Sequence, residues 1–287
     1  MSGFIIAAMD VANYVLILML VSLGLAIVFG LMNVINMAHG EFMMLGAYVV
    51  LVCHQLGLGV FWGMLLAPLL VGVLGLLVEE LLIRRVYTRL LDTILATWGL
   101  SLLLKQAVVL AFGPGSHSVP NPLPMMLSLG GIDYPAYRLF IMAVALLALG
   151  LTFWMFFRTE LGLAARCVIT NREMSACLGI DTRRLDRFTF SFGCGLAGLA
   201  GAVMVPIVSL DPQMGLGFLV PAFLTILIGG LGSVASPLAG AAAVGVTDNL
   251  VATFMSPVWA QGVVFTMAIV LIRIFPAGIA SRRRRVV

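Results

Sequence analysis

The sequence predicts an all-α fold, a polytopic transmembrane helical bundle of about nine membrane segments, some of them short or broken. Three observations carry this. Hydrophobic residues make up 62% of the 287 residues and charged residues only 10%, with a mean hydropathy of +1.16, against about 25% charged in soluble domains. The apolar residues are gathered into runs, several of them near the ~20 residues that a helix needs to cross ~30 Å of hydrocarbon. The arginines stand in short clusters at the ends of those runs, the pattern that sets orientation in a membrane. A net charge of +4 distributed this way points to a lipid bilayer and not to nucleic acid.

The first run, 11–32, follows Asp10 and is full length. A second, 42–55, is short, and a third, 60–83, is full length again. Arg84, Arg85 and Arg89 mark a turn before a fourth run, 93–112, which contains Lys105 and Gln106. Residues 113–138 hold five prolines, several glycines and two charges, a composition that ends helices and reads as an extracytoplasmic loop. A fifth run, 139–157, leads to the one long polar passage, 158–187. After it come a run at 188–209, a turn at 211–215, two shorter runs at 218–231 and 238–254 separated by GGLGSVASP (229–237), and a last run at 259–275. The terminal arginines lie at 282–285. The chain therefore reads as one membrane domain, 1–287, with a cytoplasmic loop at 158–187. With the N-terminus outside and the C-terminus in the cytoplasm, every arginine cluster falls on the cytoplasmic side. The first Lys or Arg is Arg84, so a cleaved signal peptide is not expected.

Polar residues inside or beside the runs are the functional candidates. Asn33, Asn36, His39 and Glu41 fall within nine residues after the first run. His39 and Glu41 admit two readings. One is a proton relay or ligand contact on the translocation path, since ionisable groups at membrane depth are functional by default. The other is a cap at the cytoplasmic end, with Glu41 in the first turn of the second helix, where the macrodipole favours a negative charge. Asp248, between Thr247 and Asn249, is the other acidic candidate within a run and has no cationic partner near it in sequence. Lys105 is expected to snorkel towards the outer headgroups, a polar path being the alternative. Glu80 and Arg84 are spaced to pair at i,i+4 on a solvated helix end. The glycines of GCGLAGLAG (193–201) and LAGAAAVG (238–245) are expected to let helices pack closely.

The passage 158–187 carries ten charged side chains, six of them arginine. Within it Asn171 is placed to cap a short helix, with Glu173 in its first turn and Gly179 as its stop. So short a helix is marginal alone in water and needs contact to persist.

Absent motifs narrow the function. A Walker A loop needs a lysine after its glycines, and Lys105, in LLLKQAV, is the only lysine. The three histidines form no HExxH, and neither GxSxG nor a cysteine–histidine signature is present. Cys53, Cys167, Cys177 and Cys194 have no CxxC spacing, so no metal, cofactor or disulfide framework is expected. The chain does not read as an enzyme. A secondary transporter and a channel for small neutral solutes remain as rivals to any transport subunit.

Four strings together resemble a known family: GLAIVFGLMNVINMAHGEFMMLGAY (24–48), LATWGLSLLL (95–104), TNREMSACLGID (170–181) and GGLGSVASPLAG (229–240), with FPAGI (275–279) similar to an FxPxG ending. They are similar to the membrane-spanning permeases of ATP-driven importers for branched-chain amino acids and urea. TWGLSL and MSACLGID look closer to the urea and short-amide branch, so both substrate classes stay open. The resemblance implies a bacterial inner-membrane subunit forming half of a pore. It implies three kinds of partner: a second permease, two ATP-binding subunits and an extracytoplasmic solute-binding protein. It also implies that 171–179 is a coupling helix docking on an ATPase. Met174, Ala176, Cys177 and Leu178 would then offer apolar surface, and Arg172 and Glu173 polar contacts, up to the stop at Gly179.

Overall fold

The structure is a computed structural model that describes residues 2–86, 89–129, 132–230, 236–276 and 278–279. Its architecture is the all-α bundle that the composition implies. Helix α1 (Ser2–Met32) is followed by α2 (His39–Gln55) and α3 (Val60–Val78), which continues through a π turn (Glu79–Ile83) into the short α4 (Arg84–Val86). Next come α5 (Leu90–Phe112), strands β1 (Met126–Leu129) and β2 (Ile132–Pro135), and α6 (Ala136–Arg158). Helices α7 (Glu160–Thr170), α8 (Arg172–Cys177), α9 (Thr182–Met204), α10 (Met214–Gly229), α11 (Ser236–Phe254) and α12 (Pro257–Ile274) complete the chain. Among the described residues, five helical stretches are long and apolar enough to cross a membrane. Helices α2, α10, α11 and α12, at 17, 16, 19 and 18 residues, are the shorter pieces expected of broken spans.

Helices α1 and α9 form the centre. A helix that is apolar all round must be buried, and in α1 Leu18, Leu20, Val21, Leu23, Leu25 and Val28 are essentially inaccessible. Helix α9 earns its place by its glycines. A Cβ on Gly46 of α2 would lie 2.0 Å from the Gly198 carbonyl oxygen, and one on Gly24 of α1 would lie 2.6 Å from that of Gly193. On Gly201 it would lie 1.9 Å from the Met43 carbonyl oxygen. The expected close packing is present at both glycine runs, joining α1, α2, α3 and α9 around the first and, at the second, setting Gly240 of α11 where a Cβ would lie 1.9 Å from the Thr225 carbonyl oxygen of α10.

Two stretches differ from the sequence reading. The passage 158–187 is not an open loop, because α7, α8 and the start of α9 run through it. Each of these helices starts at a side-chain cap: Thr159 accepts from the Gly162 amide, Asn171 from Met174 and Asp181 from Arg184. Three caps at three turns are enough to keep a charged stretch helical. Within 113–138, β1 and β2 pair antiparallel, with Leu127 opposite Tyr134 and Ser128 opposite Asp133. Asp10 of α1 anchors this hairpin, accepting from the Tyr134 hydroxyl at 2.8 Å and pairing with Arg138. The terminal arginines 282–285 and residues 231–235, within GGLGSVASP, lie outside the described residues.

Candidate functional site

The site begins where α1 ends. Asn33 takes a left-handed backbone, φ 55°, and the chain turns back along α1 without helical bonding until α2 starts at His39. The His39 ring nitrogen Nε2 lies 3.0 Å from the Val21 carbonyl oxygen. Val21 is eleven residues before Met32, so at ~1.5 Å per residue the start of α2 sits about 16 Å inside the bundle. Glu41 does occupy the first turn of α2, as the capping reading expects. That turn, however, is at mid-depth and not at an end of the bundle.

Helix α5 closes over this break. The Met37 amide donates to Thr97 Oγ1 at 3.2 Å, and the same hydroxyl lies 3.3 Å from the Ile35 carbonyl oxygen. One turn on, Ser101 Oγ donates to Glu41 Oε1 at 2.9 Å. One turn further, Lys105 Nζ is 3.6 Å from the same oxygen. Lys105 therefore does not snorkel to the headgroups. An acid buried to 1% exposure at mid-depth holds it inside, since an unpaired charge there costs more than a bent lysine stem gains. Asn36 Oδ1 accepts from the Ala38 amide at 3.0 Å. Asn36 Nδ2, His39 Nδ1 and Glu41 Oε2 are buried with no hydrogen-bonding partner among the described residues.

Towards the hairpin end, the seam between α2 and α5 closes with rings. Tyr48 and Phe112 have centroids 4.8 Å apart, and His117 lies 6.4 Å from Tyr48. His117 is held by a two-way backbone bridge to Leu210, at 2.8 and 3.0 Å. The Tyr48 hydroxyl is another buried group with no hydrogen-bonding partner among the described residues.

The structure thus brings together Asn36, His39 and Glu41 from the sequence candidates and leaves two apart. Asn33 is exposed at the end of α1. Asp248, on α11, sits beside the Tyr14 hydroxyl of α1, where Gly245 packs against Val15. Thr97 and Ser101 were not singled out from sequence, nor was Lys105 as the partner of Glu41. The signal was their spacing: at i, i+4 and i+8, one turn after Thr93, they form a polar line along α5.

The charged end has its own architecture. Asn171 caps α8, its side-chain oxygen accepting from the Met174 amide at 3.0 Å, and Gly179 has φ +86°, as its role as a stop requires. Ser175 is buried against the body of the chain, whereas Met174, Ala176, Cys177 and Leu178 are exposed. Met174 and Leu178 join Leu163, Arg166 and Thr170 around a shallow groove of about 390 Å³. Arg172 does not point outwards with them. It pairs with Asp186 of α9, which is 1% exposed.

Next along α9, Arg187 pairs with Glu80 and lies 3.9 Å from Glu79. Glu80 also pairs with Arg84, as the i,i+4 spacing predicts. The solvated helix end expected here is corrected in one respect. Glu79 is 1% exposed, because the π turn rotates it inwards onto α9. Among the described residues, no group of three or more His, Cys, Asp or Glu side chains comes together as metal ligands would.

A bundle whose second helix begins at mid-depth, with ionisable side chains collected at the break before it, belongs to the class of polytopic membrane transport proteins. The comparisons specify the class further. Residues 7–273 match the family model described as branched-chain amino acid transport system / permease component, and the chain belongs to that family. It is similar to the high-affinity branched-chain amino acid transport system permease proteins BraD of Pseudomonas aeruginosa (29% identity) and LivH of Salmonella typhimurium (26%). Each comparison covers 92% of this chain and 91% of the relative. It is also similar, at 26% identity over 78% of this chain and 59% of the relative, to the permease protein LivM of Escherichia coli.

Proposed function

We propose that this chain is the membrane-spanning permease subunit of an ATP-driven importer and forms half of the pathway for a branched-chain amino acid. In this reading ATP is hydrolysed by separate subunits that dock on α8, and a solute-binding protein delivers the substrate from outside. The observation that carries it is the state of α8. A two-turn helix, capped at both ends and tied to α9 through Arg172 and Asp186, holds Met174, Ala176, Cys177 and Leu178 out of the chain's own core. An isolated helix of this length does not persist in water, and exposed apolar side chains on a fixed frame suit a groove on a partner. The similarity to both LivH and LivM, two differently named permeases of high-affinity systems, supports pairing with a second permease.

In the same reading 158–187 faces the cytoplasm and the N-terminus lies outside, following the arginines. Asn36, His39 and Glu41 border the path, and Asn33 and Asp248 stand at its margins. The relatives' names favour branched-chain amino acids over urea. The experiment is uptake of labelled leucine and labelled urea in vesicles holding this chain with the permease, ATP-binding and solute-binding proteins encoded beside it. Leucine uptake that requires ATP is expected. Uptake driven by an ion gradient without ATP refutes the importer assignment, and preference for urea refutes the substrate.

A further inference from the structure

We propose that Glu41, Ser101 and Lys105 form a mid-depth station that reads both charges of a zwitterionic amino acid, Glu41 receiving the ammonium group and Lys105 the carboxylate. The inference rests on the permease reading and adds to it the residues that recognise the substrate's backbone groups.

Buried ion pairs are retained for stability only when their geometry is close and every remaining lone pair is satisfied. This pair meets neither condition. The Lys105 nitrogen is 3.6 Å from Glu41 Oε1, beyond the ~2.7–2.9 Å of a good charge-assisted hydrogen bond. Glu41 Oε2 has no hydrogen-bonding partner among the described residues, though Glu41 is 1% exposed. One acceptor position is therefore kept open at the centre of the membrane domain. Ser101 holds the other oxygen at 2.9 Å and so fixes the direction in which the carboxylate faces.

A zwitterion can enter this pair without changing the local charge at any stage. Its ammonium replaces Lys105 at Glu41 while its carboxylate replaces Glu41 at Lys105. A solute with one charge leaves one buried partner uncompensated, and a neutral amide leaves the original pair closed. Room for the exchange comes from α5. Its Leu95, Trp98, Leu102 and Leu110 are all more than half exposed; Ser101 and Lys105 tie it to Glu41 of α2, and Thr97 ties it to Met37 in the link before α2. Lys105, with its side chain 20% exposed, is the member of the pair that reaches towards the open face of α5.

The test measures binding directly, in lipid nanodiscs holding the chain with its co-purifying permease and without the solute-binding protein. Labelled leucine is displaced by unlabelled leucine, by isoamylamine, which lacks the carboxylate, and by 4-methylpentanoate, which lacks the amine. Wild-type protein is expected to prefer leucine at least tenfold over either analogue. Lys105→Met should abolish the preference over isoamylamine while keeping that over 4-methylpentanoate, and Glu41→Gln should do the reverse. The double variant Glu41→Lys/Lys105→Glu keeps an ion pair and so guards against simple misfolding; it is expected to bind leucine at least tenfold more weakly. Wild-type affinity in the exchanged pair, or equal loss for all three ligands in the single variants, overturns the proposal and leaves the permease reading standing. Absence of ATP-driven leucine uptake by the wild-type complex is the separate result that removes the permease reading itself.

Discussion

The close crossing of α2 and α9 sets where Glu41 stands, and Gly46→Ala tests it. In the native crossing a Cβ at Gly46 would lie 2.0 Å from the Gly198 carbonyl oxygen, whereas ordinary contact begins at 3.4 Å, so the helices must separate by about 1.4 Å. The opposing atom belongs to backbone and cannot rotate aside. Overpacking of this kind costs about 1–3 kcal/mol, and the upper part of that range applies here. Replacing glycine by alanine within a helix returns up to ~1 kcal/mol, which leaves a net loss of about 2 kcal/mol. Gly99→Ala on α5 is the control, because nothing lies within 4 Å of its Cβ and only the helical gain remains. Buried Cys53 and Cys194 report unfolding through a thiol-reactive dye once exposed Cys167 and Cys177 are replaced by serine. Gly46→Ala should melt several degrees below its parent and Gly99→Ala at or above it. Equal melting of Gly46→Ala and parent would refute the close crossing and, with it, the placement of Glu41 beside Ser101.

Three other outcomes follow from the same structure. Ala176→Asp, on the exposed side of α8, should leave insertion unchanged but reduce substrate-stimulated ATP hydrolysis at least tenfold in the reconstituted complex. A charge forced into a covered apolar contact costs several kcal/mol, and persistent stimulation would show that α8 is not the coupling helix. In intact cells a lone cysteine at Ser116 should react with an impermeant thiol reagent and one at Thr182 should not; the opposite labelling would invert the orientation. Burial and the hydrogen bond to Asp10 push the Tyr134 hydroxyl up to about 12, from an ordinary value near 10. The folded state thus favours the neutral phenol, so the hairpin anchor is fully present below pH ~10 and weakens as pH rises towards ~12. Asp10→Asn should move the phenolate absorbance step down towards 10, and an unmoved step would show that the contact is not formed.

Segments, charge distribution and short-range chemistry were legible without coordinates because they are local. Hydropathy over twenty residues decides a span, an Asn-x-Glu pattern followed by glycine decides the short helix at 171–179, and Glu80 and Arg84 pair because four residues make one helical turn. Outside 171–179 the passage 158–187 was legible as polar but not as helical, since its caps at Thr159 and Asp181 act only once the flanking chain has fixed their backbone. What the sequence by itself determined is that Asn36, His39 and Glu41 are polar groups at a break between two apolar runs. The tertiary structure alone decided the depth of that break. His39 reaches Val21 because Gly24, Gly40 and Gly46 let α2 slide inwards against α1, α9 and α10. Lys105, 64 residues away in the chain, meets Glu41 for the same reason. Depth and pairing depend on which helices lie side by side, and a periodic pattern along one chain contains one face of each helix but not the face that covers it.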